Sequence, residues 1–355
     1  MPLFEFTQKT VCCVDLQIYV EETNLKFKKK AACFIGAALL APTFSHAQES
    51  VTPDQVVGAI ENQFGVNPGQ RRNHINGVCV AGSFVGNKSV QAYTTSPLFS
   101  GKAIPVIGRF SLAGGSLKIP DTARNPRGMA LEFELPNQNR QHFTMLNVPV
   151  FGAATPSSFY DGVIANTPDP ATGKPDPEKV AHYKATHPDA QALGEYLAKN
   201  NPVVSYANSD FYSVHTFRFI NKNQQTTLVK WRFVPEDGVK RLSDDELKTA
   251  PTRFLDQDIM SKTQAGSVRW QMMLVIGEPG DEQTNPTIYW PANRKEIKAG
   301  VLTLSSASPQ QGGACEKINF DPLVMTQGIA PTNDPVLLFR SPAYADSYAK
   351  RMTGQ

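Results

Sequence analysis

The 355-residue chain has almost no charge imbalance: 35 Lys and Arg stand against 32 Asp and Glu, a formal charge of +3. So small an excess argues against nucleic acid or an anionic membrane surface as partner. Lys118 and the other basic residues after the leader are scattered, as on a solvated surface. The apolar run at 31–41 has eleven residues, too few to span a bilayer. There is no Walker loop, no H-E-x-x-H, no paired C-x-x-C and no G-x-S-x-G. Phosphate-loop, zincin, thiol-redox and serine-hydrolase chemistries therefore have no sequence support. Nothing repeats internally. What is present is ordinary globular composition, 41% hydrophobic and 19% charged, with enough chain for a sizeable core.

The eleven-residue run follows Lys26, Lys28, Lys29 and Lys30 and precedes Ser45-His46-Ala47. A basic region, a short apolar stretch and small residues at the two positions a signal peptidase reads make a secretory signal peptide, cut before Gln48. The mature protein is then expected in the periplasm, free of the membrane. Residues 1–24 carry Glu5, Asp15, Glu21 and Glu22, which suit no such basic region, so translation is expected to start at Leu25. Cys33 lacks a lipobox. Residues 1–47 are read as leader and 48–355 as one domain. Cleavage removes Cys12, Cys13 and Cys33 and leaves Cys79 and Cys315. An exported pair can form one disulfide. Two separate buried thiols are the preferred expectation, because nothing in the sequence brings Cys315 to the strand of Cys79.

Val56, Val57, Ile60 and Phe64 recur at helical spacing over 54–64. Alternation then takes over. Met129, Leu131, Phe133 and Leu135 alternate with Ala130, Glu132 and Glu134, as in a half-buried strand. Strands are also expected at 215–220, 228–234 and 268–276, the first two joined by a turn at 221–225. Many antiparallel strands without alternating helices indicate a closed barrel or a sandwich. Helical insertions are expected at 177–200, after a Pro-rich loop at 167–177, and from the capping box Ser243-Asp244-Asp245-Glu246 onward. Residues 309–314 form a polar loop. Asp334-Pro335 starts a last helix, an acid at the N-cap with Pro after it. Pro342 is expected to kink that helix or to mark its true start.

Arg340 and Tyr344 in this last helix stand four residues apart, which places them on one helical face. Such a pair is more often a surface arginine packed on a core tyrosine. Its other use is in iron binding. A phenol, with an ordinary pKa of about 10, becomes a good ligand for ferric iron when a guanidinium stabilises its anion. Further segments follow the same order as motifs of the haem catalases. Arg71-Arg72-Asn73-His74 resembles their distal-histidine segment, and Arg109-Phe110-Ser111 their R-F-S strand. The stretch from Asp121 to Gly128 resembles D-T-x-R-D-P-R-G. Ser213-Val214-His215-Thr216-Phe217 resembles S-H-T-F with one insertion. Asn319-Phe320-Asp321-Pro322 and Gly328-Ile329 resemble the stretch before the proximal helix. The chain thus resembles the catalase family over about 69–352. It stops eleven residues after Tyr344, so it looks like the small catalase-related peroxidases.

The resemblance implies an α+β fold: a catalase-like antiparallel β-barrel with helical insertions and a C-terminal proximal helix. It implies haem b as cofactor and Tyr344 as the iron ligand, with Arg340 supporting its anion. It makes His74 the distal acid/base, Phe159 the ring stacked on the distal haem face, and Arg71, Arg109 and Arg351 the partners of the haem propionates. His215 becomes a second pocket candidate, while His142, His182 and His187, in polar segments, read as surface. One departure concerns the distal asparagine that helps hold peroxide. Asn147 matches the second asparagine of the family's tandem pair, and Leu146 occupies the place of the catalytic one. Asn147 is retained as a catalytic candidate through a one-residue shift. Loss of that donor favours a peroxidase, using peroxide and an unidentified small organic reductant. The alternatives are peroxide disproportionation and a non-catalytic haem-binding protein on the same barrel. Self-association is left open.

Overall fold

The computed structural model describes residues 51–355. The expected leader, its cleavage before Gln48 and the start at Leu25 lie outside the described residues. Among the described residues no helix is long and apolar enough to cross a membrane.

Among the described residues ten strands form one antiparallel sheet: β1 (Gly77–Gly86), β2 (Ala103–Leu112), β3 (Arg127–Glu134), β4 (Arg140–Leu146), β5 (Phe211–Tyr212), β6 (Phe217–Ile220), β7 (Thr226–Pro235), β8 (Val268–Ile276), β9 (Glu296–Pro309) and β10 (Ile329–Pro331). The order β7-β5-β4-β3-β2-β1-β9-β8 returns to β7 through the β7–β8 ladder and closes an eight-stranded barrel. β6 continues from β7, and β10 pairs with β6. Closure removes the open edges that a sheet otherwise exposes. The expected turn at 221–225 joins β6 to β7, although the strand starts only at Phe217, leaving His215 ahead of it.

Alternation puts large side chains inside, where an eight-stranded barrel has room for side chains and little else. Met129, Leu131 and Phe133 of β3 are fully buried there, with Phe84, Phe110, Phe143, Trp231, Phe233 and Trp270. Phe143 stacks on Trp231 with ring centroids 4.3 Å apart, and Phe110 on Tyr206 at 4.8 Å.

Among the described residues seven α-helices lie outside the barrel. α1 (Pro53–Phe64) starts with a capping box between Thr52 and Gln55, and buries Val56, Val57 and Ile60. α2 (Pro156–Ala165) follows the β4 exit. The insertion expected as one helix over 177–200 is two, α3 (Pro177–Thr186) and α4 (Gln191–Lys199), because Pro188 cannot donate to the preceding turn. Likewise Pro251 separates α5 (Asp244–Thr249) from α6 (Leu255–Ala265). α7 (Pro335–Met352) packs against α1 and α2. It starts at Pro335 and runs through Pro342, so Pro342 does not mark its start. That proline is exposed, so its ring and the amide it lacks are on the solvent side.

Two further expectations are corrected. Cys79 and Cys315 form a disulfide across 236 residues, so they are not separate thiols. The path of the 310–320 segment over the outside of β1 decides this, and no local pattern reports it. His142 is buried, not on the surface. Its neighbour across the ladder is Glu132, Nε2 lies 2.8 Å from Glu132 Oε2, and Phe320 packs over the ring.

Candidate active site

A cavity lies between the outer face of β2, β3 and β4 and the helices α1, α2 and α7. Side chains two apart on a strand share a face. Arg109 and Ser111, Gly128 and Ala130, and Thr144 and Leu146 therefore all face outward into it. The ladders align them in two rows, Arg109–Ala130–Thr144 and Ser111–Gly128–Leu146. Four of the six residues are small, and this leaves the space. Val56, Val57 and Ile60 of α1, Phe159 of α2, Phe151, and Val336 and Phe339 of α7 make the rest of the wall apolar.

His74 enters this cavity just ahead of β1. Its backbone is left-handed, with φ of 54°. Asn73 stabilises that bend, its Oδ1 accepting from His74 N and from Gly114 N at 2.8 Å each. Val214, also on the cavity wall, has φ of 53°, rare for a β-branched residue. Such conformations cost about 1–3 kcal/mol each and persist where the surroundings impose them. His74 Nδ1 lies 2.9 Å from Ser111 Oγ, while Nε2 makes no hydrogen bond among the described residues. Gly128 permits the arrangement: a Cβ there would fall 2.7 Å from Ser111 Oγ and 3.3 Å from His74 Nδ1. Burial, then Arg109, Arg340 and Arg71, push the imidazole pKa down to about 3. The ring is neutral at ordinary pH and able to accept a proton.

Arg340 and Tyr344 come together on α7 as their spacing predicts. Arg340 Nη2 donates to Tyr344 Oη at 2.8 Å and to Thr144 Oγ1 at 2.8 Å, with Nε 3.3 Å from the same phenol oxygen. Asp334 sets the start of this helix. Its Oδ1 accepts from Val336 N and Leu337 N at 2.9 and 3.1 Å, and its Oδ2 lies 2.7 Å from His215 Nδ1. His215 is fully buried and is absent from the cavity wall, so it is a partner of the helix start and not a pocket residue. Burial lowers its pKa, which the carboxylate only partly offsets.

Arg71, Arg109 and Arg351 also reach the cavity. Among the described residues none has a carboxylate partner. Arg71 Nη2 faces the carbonyls of Ile318, Cys315 and Glu316 at 2.9, 3.2 and 3.4 Å, and its buried Nε has no partner. Arg109 donates to Gln310 Oε1 at 2.5 Å and to His74 O at 2.6 Å. Arg351 reaches Ile318 O at 3.5 Å and lies over the Tyr348 ring. Burial lowers the pKa of all three, that of Arg109 to about 10. Three desolvated guanidinium groups held by neutral acceptors call for an anion.

Asn147 does not reach the cavity, contrary to expectation. It follows the last residue of β4, and its Oδ1 accepts from Arg127 N at 2.7 Å. Its own N–H donates to Arg127 O at 2.8 Å. That side chain closes the end of the β3–β4 ladder, and Leu146 takes the cavity position. Phe159 does reach the wall, stacked on Phe151 at 5.9 Å. Ser111 and Gly128, which the sequence motifs contain without a role, and Tyr348, the second ligand candidate, also line the cavity; Thr144 does too, although sequence reasoning did not single it out. Ser111 was legible, because it stands two residues from Arg109 on the same strand.

The catalase family model matches residues 67–355, and the chain belongs to that family. A catalase-related peroxidase of Synechococcus elongatus is 54% identical over 318 residues, covering 90% of this chain and 94% of that one. A catalase-related peroxidase of Mycolicibacterium paratuberculosis is 28% identical over 302 residues, 85% of this chain and 95% of that one. Among solved structures, catalase A from Saccharomyces cerevisiae superposes with a TM-score of 0.74 at 24% identity, covering 81% of this chain and 62% of that one. A fungal catalase gives 0.73 at 22%, with 60% of its length covered. The barrel and its helices are thus the catalase fold. The family implies haem, and the cavity fits it. The walls are apolar, a phenol oxygen is held by a guanidinium, and arginines without carboxylate partners suit the two carboxylates such a group carries.

Proposed function

We propose that this protein is a haem b-dependent peroxidase that reduces hydrogen peroxide or organic peroxides with a small organic electron donor. The observation that carries the reading is His74: a buried neutral imidazole with Nδ1 engaged by Ser111 and Nε2 free, in one cavity with Tyr344. A carrier would need no such base. Tyr344 Oη would ligate the iron, and Arg340 would stabilise negative charge on that oxygen through hydrogen bonds that strengthen with the charge. Arg71, Arg109 and Arg351 would take the propionates, and Phe159 would pack on the ring. Bound haem would supply the iron that takes up the two oxidising equivalents of peroxide and passes them on to the donor, which is oxidised.

His74 Nε2 would accept the proton of one peroxide oxygen and deliver it to the other, so that water, or an alcohol from an organic peroxide, could leave, the two electrons for breaking the O–O bond coming from the haem. With Nδ1–H donating to Ser111 Oγ, the ring presents its lone pair at Nε2. The apolar wall keeps that lone pair unprotonated. Leu146 offers a second peroxide no hydrogen bond, and Asn147 is committed to Arg127. Disproportionation is therefore disfavoured, whereas oxidation of an organic donor loses nothing. Export to the periplasm is part of the proposal. It is supported by the lysine-flanked apolar run at 26–47 and by the disulfide, a bond suited to an oxidising compartment.

The test is purification with haem, then peroxide turnover with and without a phenolic donor. Donor oxidation should exceed oxygen release, and Leu146→Asn should shift the balance toward oxygen. Rapid oxygen release with little donor oxidation would make the protein a small catalase. Haem uptake without turnover would leave a binding protein.

A further inference from the structure

β9 ends at Pro309, opposite Val78 of β1. The chain leaves the sheet there, and six residues later Cys315 is bound back to Cys79 on that same strand. Cys79 pairs with Arg109 across the β1–β2 ladder, so the bridge stands at the end of the row Arg109–Ala130–Thr144 that floors the cavity. The turn it anchors serves Arg71, Arg109 and Arg351 alike. Gln310 Oε1 accepts from Arg109, the carbonyls of Cys315, Glu316 and Ile318 face Arg71, and Ile318 O also meets Arg351. Lys317 O accepts from Tyr348, the ring beneath Arg351.

Neutral acceptors fix the direction of a guanidinium without neutralising it. The charge stays available to an incoming anion, and where it points depends on where the carbonyls are. The turn has little of its own to keep them there. After Pro309 it makes no ladder bonds, and among the described residues its backbone–backbone bonds are short local ones such as Gly313 N to Gln310 O and Ile318 N to Cys315 O. Its apolar anchor is the small cluster of Cys79, Cys315 and Phe320.

We infer that the Cys79–Cys315 bridge is a positioning element for the cofactor's carboxylates, acting through the 310–318 turn that aims Arg71, Arg109 and Arg351. This rests on the haem reading above. A bridge that served stability alone would affect unfolding and leave cofactor retention untouched.

The experiment uses haem-loaded protein: wild type, Cys79→Ala with Cys315→Ala, Arg71→Ala, and all three substitutions together. Haem release is read by transfer to excess apomyoglobin, and order of the turn by tryptic cleavage after the exposed Lys317. Loss of supporting groups around a bound metal centre weakens it about 10–100-fold. The bridge-free protein should release haem about tenfold faster and be cut faster after Lys317. Adding Arg71→Ala should give less than the product of the two single effects, since they share the Arg71 contact. Unchanged release, unchanged cleavage, or a multiplicative combined effect would overturn the inference. If the bridge-free variant does not fold, reduction of folded wild type, verified by thiol count, gives the same comparison. Wild type that takes up no haem would overturn the cofactor reading itself, and the inference with it.

Discussion

Replacing His74 by Gln separates the acid/base reading from every alternative. The imidazole is buried and surrounded by Arg109, Arg340 and Arg71, with a pKa pushed down to about 3. One unit above that value about nine-tenths of it is neutral. Wild-type reaction with peroxide should thus be flat from about pH 4.5 to 8, as far as this group governs it. An unperturbed histidine would fall about thirtyfold below its plateau by pH 5. His74→Gln keeps a polar side chain but cannot take the proton, and should slow the reaction by about 10²–10⁴, or about 3–5 kcal/mol of barrier. Stopped-flow mixing of haem-loaded protein with peroxide across the pH range measures both. The same shift bears on stability. Between about pH 6.5 and 3 the unfolded chain binds the proton that the folded one refuses, so stability falls as pH falls, by about 1.4 kcal/mol per unit from this residue. Above pH 6.5 the contribution is constant. Urea unfolding at pH 6 and 5 should show that slope reduced in His74→Gln. A wild-type rate that inflects near pH 6.5, or a loss below tenfold in the variant, would refute the reasoning.

Tyr344→Phe removes the oxygen that Arg340 holds and should abolish stable haem binding. A full haem complement with an unchanged spectrum would take Tyr344 out of the site and direct attention to Tyr348. Asp334→Ala removes the cap of α7 and the partner of a buried imidazole. It should cost about 2–4 kcal/mol in urea unfolding, about 1 for the cap and the rest for the charge-assisted bond. A loss under about 0.5 kcal/mol would mean that the packing of α7 alone holds the helix start.

What the sequence determined by itself is what short spacings control. The i, i+4 relation put Arg340 and Tyr344 on one face, Asp334-Pro335 started α7, and period-2 alternation placed Met129, Leu131 and Phe133 inside the barrel. These depend on backbone geometry over a few residues. Family motifs also named His74 and the three arginines, but not what holds them. Only the tertiary structure decided that Asn147 turns to Arg127 while Leu146 meets the cavity. At the end of a strand, one residue's displacement changes which face a side chain takes. It likewise decided that Cys315 returns to Cys79, that His142 lies under Phe320, and that carbonyls some 245 positions away in sequence orient Arg71. Each of these follows from the path of one loop across the barrel wall. The pairing partners are separated by most of the chain, so no local pattern in the residues carries the information.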